Sequence, residues 1–398
     1  MSSTAQSRST GPAARHHLDH AATSPLRPEA REAMVAALGA GNPNAQYAEG
    51  RAARKILEEA RESIAADLGA EPVEVVFASG GTEADNLGVR GLYLAGAARA
   101  GAPGTVVSTP VEHDAVRKAV AHLAEHHGAR VLEAPVDAGG RVAVGELRLL
   151  CDAHAGPHHV WTCQWANNET GAIQPIGEFI AAAGEHDAPV HVDAVQAVGH
   201  VPVDFRGSGA ATLAASAHKF GGPRGIGALL VRRSTSLTAL NAGGGQERGL
   251  RSGTPDVAAA AGMAAALRAA TAAMDGERRA VATLRDRLLA GLRDIDGMVL
   301  HTSEPALPGH LHVSVTGAEG DSLIMLLDAA GISAATGSAC AAGVNRASHV
   351  LEAMGVDVAV SRGALRLTLG WNSTGADVDA VLSVLGDTVA RARAAGMA

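Results

Sequence analysis

The sequence predicts an α/β protein: a large domain on a mostly parallel sheet, followed by a smaller α+β domain at the C-terminus. Strand-length apolar runs alternate with helical patterns through the first two thirds of the chain. A long alanine-rich helical stretch, about 255 to 295, then interrupts that rhythm, and a different alternation follows it.

The predicted strands of the large domain are VEVVFAS (73 to 79), GTVVST (104 to 109), ARVLEAPV (129 to 136), HHVWTCQW (158 to 165), APVHVDAV (188 to 195), ATLAASA (211 to 217) and IGALLV (226 to 231). Helical patterns such as 49 to 68, 82 to 99 and 112 to 127 lie between them. Right-handed crossovers then bury both faces of the sheet and leave ligands at the carboxyl ends of the strands. The 255 to 295 stretch, with Gly276 as a break, links the domains. After it come a strand (310 to 317), helices over 321 to 330 and 347 to 354, a strand (364 to 370) and a helix from 375. The expected division is a flexible tail over 1 to 15, a large domain over 26 to 274, and a small domain of 16 to 25 with 275 to 398.

Composition narrows the function. Hydrophobic residues make up 47% and aromatic residues only 2%, so the core is expected to be mainly alanine, valine and leucine. The net charge of −8 and the lack of a basic run give phosphate backbones nothing to bind, so no direct nucleic-acid partner is expected. Arg268 breaks the most apolar stretch, which argues against a membrane span. Cys151, Cys163 and Cys340 cannot form a closed disulfide framework, which suits a reducing, cytoplasmic setting. The histidine pairs at 16–17, 126–127 and 158–159 lack carboxylate or thiolate neighbours at ligand spacing; they read as surface or turn residues, and no metal is expected.

The chemistry concentrates in a few places. Lys219 in SAHKFGGPRG follows a strand closely behind HVDAVQ, whose Asp193 ends another buried strand. A lysine that can form a Schiff base and an acid that can keep a pyridine nitrogen protonated are what pyridoxal 5'-phosphate requires. Asp193 could instead cap the following helix. FASGGTEADN places Gly81 and Thr82 at a helix start, where backbone amides favour a phosphate, although a Gly-Gly-Thr turn can also be a plain helix start. His113 follows a strand and could stack on a cofactor ring or be an ordinary turn residue. Arg366, inside a strand, can offer its fork to a carboxylate or sit in a structural ion pair. Cys340 in TGSACAAG has neighbours too small to shield it, as an accessible nucleophilic thiol needs; a small buried residue is the alternative. Cys163 reads as core.

In order, LDHAATSPL, GNPNAQYAEG, FASGGTEADN, VEHDAV, NNETG, HVDAVQ, SAHKFGGPRGIGAL, GGGQERGLRSGT, GSAC and LRLTLG resemble the motif series of the group I (NifS-like) cysteine desulfurases. The resemblance runs from about residue 17 to the last helix. It implies a fold type I pyridoxal phosphate enzyme of the class V aminotransferase family. On it, Lys219 is the Schiff-base lysine, Asp193 the pyridine-nitrogen partner, Gln196 the donor to the phenolic oxygen, and His113 the stacking and proton-transfer residue. Thr82, Ser216 and His218 hold the phosphate, with Thr254 from the second subunit of a homodimer. Asn168 and Arg366 bind L-cysteine, and Cys340 takes the sulfur as a persulfide for an acceptor protein in iron–sulfur assembly, tRNA thiolation or a dedicated pathway. Tyr47 and His20 depart from common relatives, which bears on substrate entry. Other readings are a selenocysteine lyase, another class V lyase or epimerase without a persulfide, and a non-catalytic docking scaffold.

Overall fold

The computed structural model describes residues 15–337 and 347–396. Its twelve strands are β1 (His16–His17), β2 (Val75–Ala78), β3 (Thr105–Ser108), β4 (Arg130–Glu133), β5 (His158–Gln164), β6 (Val190–Asp193), β7 (Thr212–Ser216), β8 (Gly227–Val231), β9 (Met298–Leu300), β10 (His310–Val315), β11 (Ile332–Ser333) and β12 (Ala364–Thr368). The central sheet has the order β2-β8-β7-β6-β5-β3-β4. From β7 through β4 every pairing is parallel, while β8 runs antiparallel to both β7 and β2. This is the mostly parallel sheet that the alternation predicts.

Both faces of the sheet are covered, and alternate residues show it. Val106 and Val160 pack with Val89, Tyr93, Val116 and Leu123 from the helices Gly81–Ala100 and Asp114–His127. Their neighbours Val107 and Trp161 join the opposite core with Phe179, Phe205 and Phe220. All seven residues of β5 are buried. His158 and His159 therefore are not surface or turn residues, as their pairing suggested. His159 Nε2 is 3.0 Å from the Ala102 carbonyl, in the turn before β3, and His158 Nδ1 accepts from Trp161 Nε1 at 2.8 Å within β5, so each buried imidazole has a partner in the protein. Cys163 is core, and burial pushes its thiol well up.

The helix Val257–Leu292 runs through Gly276 without a break, because one interior glycine costs a helix only about 1 kcal/mol and the alanine-, leucine- and arginine-rich flanks favour it. By length and composition this helix could cross a membrane, contrary to the reading drawn from Arg268. Here 56% of its most apolar window is buried in the protein, against the helices Pro28–Ala37 and Ala48–Asp67. Beyond it, Val281, Leu288 and Leu292 enter a second core with Leu311, Val313, Leu365, Leu367 and the helix Gly375–Gly396. Leu18, beside β1, belongs to that core, and β1 pairs with β11. The following residues meet the turns after β6 and β7: the Ala21 carbonyl accepts from Gln196 Nε2, and Ser24 N donates to the His218 carbonyl at 2.8 Å.

Candidate active site

β5, β6 and β7 end side by side, with Gln164 opposite Asp193 and Asp193 opposite Ala214. The turns after these strands enclose a cavity of about 260 Å³ lined by Gly81, Thr82, His113, Asn168, Asp193, Gln196, Ser216, His218 and Lys219. Nine sequence-predicted residues from five separate segments thus converge on one space.

Each is placed by its local chain. Gly80 precedes the helix Gly81–Ala100 with φ 154°, and a Cβ at Gly81 would lie 2.7 Å from Val195 Cγ2, so the helix start approaches the β6 turn as closely as glycine permits. Thr82 thereby faces Ser216 and His218 with a helix N-terminus behind it. His113 caps the helix Asp114–His127: its Nδ1 accepts from Ala115 N at 3.1 Å, which leaves the ring proton on Nε2. Asp193 ends β6 and accepts from Val195 N at 2.9 Å. Burial raises its carboxyl above the ordinary value, opposed by His113, then by the Val195 amide and then by Lys219.

Lys219 ends the short turn after β7. Its Nζ donates to the Ala21 carbonyl at 2.6 Å and to the Ala22 carbonyl at 3.1 Å. Gln196 Nε2 donates to the same Ala21 carbonyl at 2.9 Å, so the 19 to 24 segment orients both side chains. Burial and the charge of Arg366 lower the lysine from 10.5 to about 8, against the opposing pull of Asp193 and Asp19. Such an amine reaches half of its nucleophilic form at about pH 8, far sooner than an ordinary lysine.

The polar groups match pyridoxal 5'-phosphate in kind. His218 Nδ1 is buried with no partner among the described residues, beside the hydroxyls of Thr82 and Ser216 and the helix start, as an anion site requires. Asp193 is 6% exposed and receives one backbone amide, leaving a buried acid suited to a protonated ring nitrogen.

Arg366, on β12, does not line the cavity. Its Nη2 donates to Asp19 Oδ1 at 2.7 Å and its Nη1 to the Asn168 carbonyl at 2.8 Å, so both sequence alternatives apply: it is in an ion pair and also stands against a cavity residue. Thr254 is exposed and outside the cavity. Cys340 lies outside the described residues. Tyr47 is 60% exposed, whereas His20 is buried, with Nδ1 2.7 Å from Ser24 Oγ and the ring packed against Gly370. Sequence reasoning missed Asp19, Asp85 and Glu112. Asp19 sits in the quoted LDHAAT motif, Asp85 in FASGGTEADN and Glu112 next to His113, but their place is visible only once the strands are assembled: Asp85 lines the cavity, and burial raises the carboxyls of Asp85 and Glu112. Asp85 is buried 3.2 Å from His191 Nε2, and Glu112 accepts from Gln164 N and Thr109 Oγ1 at 2.9 and 2.8 Å.

A lysine and an aspartate at adjoining strand ends, facing a helix N-terminus across an anion pocket, define a pyridoxal-phosphate-binding α/β protein. The class V aminotransferase family model matches residues 16–381, and the chain belongs to that family. It is 50% identical to a protein named "IscS-like cysteine desulfurase" from Mycobacterium tuberculosis over 96% of this chain and 98% of that protein. A solved "NifS-like protein" superposes with a TM-score of 0.86 at 33% identity, covering 95% of this chain and all of the other. A structure described as "SspA in complex with cysteine" matches with a TM-score of 0.77 at 30% identity, covering 89% of this chain and 99% of that one. The fold is fold type I, and the cofactor is pyridoxal 5'-phosphate.

Proposed function

We propose that this protein is a cysteine desulfurase: it converts L-cysteine to L-alanine and retains the sulfur on Cys340 as a persulfide. The observation that carries this reading is the convergence of Lys219, Asp193, His113 and Asn168 on one cavity, in a chain half identical to a desulfurase along its length. The exchange balances: the substrate C–S bond breaks, a S–S bond forms on Cys340, and the thiol proton ends on the product carbon.

When bound, the cofactor supplies an electrophilic aldehyde and a ring that withdraws electrons from the substrate. Thr82, Ser216 and His218 hold its phosphate, with Gly81 admitting the close approach. Asp193 would partner the ring nitrogen, and Gln196 would offer its amide to the phenolic oxygen. Lys219 Nζ binds the cofactor and afterwards moves a proton at the substrate α-carbon, a role its lowered basicity suits. His113 would stack on the ring, with its Nε2, left free by the Nδ1 bond to Ala115 N, as the atom that carries a proton. Asn168 meets the substrate carboxylate, and Arg366, standing directly behind Asn168, would turn its fork to that carboxylate on leaving Asp19.

Thr254 completes the phosphate site of a second copy; its exposure outside its own cavity supports a homodimer. Delivery of the persulfide to an acceptor thiol requires a reducing compartment such as the cytoplasm, and an acceptor protein of iron–sulfur assembly is the partner suggested by the IscS-like relatives.

One variant and one trapping experiment test the reading. Cys340→Ala should keep the cofactor absorbance and lose alanine formation, and borohydride should fix the cofactor to Lys219 in the parent protein. Alanine formation undiminished in Cys340→Ala would remove the persulfide, and an unmodified Lys219 would remove the cofactor assignment.

A further inference from the structure

Two consecutive residues of the small C-terminal region reach past the cavity wall to two glutamates, each next in sequence to a cavity residue. Ser348 Oγ donates to Glu169 Oε2 at 2.5 Å, and Glu169 follows Asn168. His349 Nε2 donates to the Glu112 carbonyl at 2.9 Å, and Glu112 precedes His113.

Both glutamates are themselves fixed to the large domain. The Glu112 carboxyl receives Gln164 N and Thr109 Oγ1, which pins the 109 to 113 turn to the end of β5. Glu169 N and Thr170 N donate to Asn167 Oδ1 at 2.8 Å each, and Asn167 Nδ2 donates to the Val111 carbonyl at 3.1 Å. The turns bearing His113 and Asn168 are therefore bonded to one another before Ser348 and His349 join them. Ser348 also caps its own helix, His349–Ala353, by accepting from Leu351 N at 3.2 Å. Val350, Leu351 and Met354 of this segment pack with Val111, so the two prongs are delivered on an apolar footing.

We propose that Ser348 and His349 form a two-pronged positioning clamp: His349 sets the His113 turn and so the proton step, and Ser348, through Glu169, sets Asn168 and so L-cysteine binding. Neither residue lines the cavity, so each acts through its glutamate. The inference rests on the roles proposed above for His113 and Asn168. Its particular content is that neighbouring residues on one short segment control different kinetic constants.

The test compares His349→Leu, His349→Gln, Ser348→Ala and Ser348→Thr with the parent holoenzyme, with His349→Met in place of leucine should that variant not fold. Loss of the His349 prong should lower kcat for alanine release about tenfold with KM within about twofold, whereas Ser348→Ala should raise KM about fivefold with kcat within about twofold. His349→Gln, which keeps an N–H donor, and Ser348→Thr, which keeps the hydroxyl, should restore most of each loss. Reconstitution of the apo-protein gives a readout separate from turnover: affinity for pyridoxal 5'-phosphate should weaken in His349→Leu and hold in Ser348→Ala. Equal changes of kcat and KM in both variants, or folded variants indistinguishable from the parent, overturn the clamp. Should the parent release no alanine from cysteine, the functional reading fails, and the clamp is then judged on cofactor affinity alone.

Discussion

Arg366 is bound to Asp19 at 2.7 Å, and both charges act on the Lys219 amine, Arg366 lowering its basicity and Asp19 raising it. The side chain of Arg366 is 6% exposed and that of Asp19 20%, so the pair joins the N-terminal segment to β12 away from bulk water. Removing one member of a buried pair leaves the other charge uncompensated. Asp19→Asn should cost about 3 kcal/mol, the low end for buried pairs because Asp19 keeps some contact with solvent, read as a lower urea midpoint of the apo-protein. An unchanged midpoint would show that water already compensates Arg366.

Cofactor capture should follow the ionisation of Lys219. Only the neutral amine attacks an aldehyde, so the rate at which apo-protein binds pyridoxal 5'-phosphate should rise with pH and level off above about 8, the value to which burial and Arg366 lower this lysine. Arg366→Gln removes the second of those causes and should move the midpoint upward. Stopped-flow absorbance across pH 6 to 10 checks both statements; a midpoint that ignores Arg366→Gln contradicts the electrostatic link.

Glu112 should make the apo-protein less stable as pH rises. Burial, and then Asp193, push its carboxyl from 4.5 up to about 8. Between those values the folded chain holds a proton that the unfolded chain has released, so the contribution of Glu112 is full below pH 4.5 and is lost as the pH climbs through 8. Glu112→Gln should flatten the fall across this window by up to about 1.4 kcal/mol per pH unit, measured by urea unfolding at several pH values. Parallel curves for parent and variant would mean that Glu112 is ionised in the folded protein.

His20 and Gly370 should behave as one unit. A Cβ on Gly370 would lie 2.1 Å from His20 Nδ1, a ring fixed by Ser24 and, at 3.4 Å, by Ser373 Oγ. Gly370→Ala should therefore destabilise by about 1–3 kcal/mol through overpacking, and much of that should vanish when His20→Ala is present as well. Additive effects in the double variant would separate the two positions.

The sequence by itself determined the alternation of strands and helices, the parallel sheet, and the identity of the groups that meet in the cavity, because strand and helix periods, turn glycines and a lysine behind an aspartate are local signals. The same local reading placed His158 and His159 at the surface and broke the long helix at Gly276, since burial depends on what packs against a segment. Only the tertiary structure decided that Arg366 is held by Asp19, that residues 21 and 22 receive the Lys219 amine, and that Ser348 and His349 grip the two glutamates beside Asn168 and His113. Those partners lie up to 347 positions apart in the chain, and hydrogen bonds and charge pairs act over a few ångströms of space, a distance the order of residues does not encode.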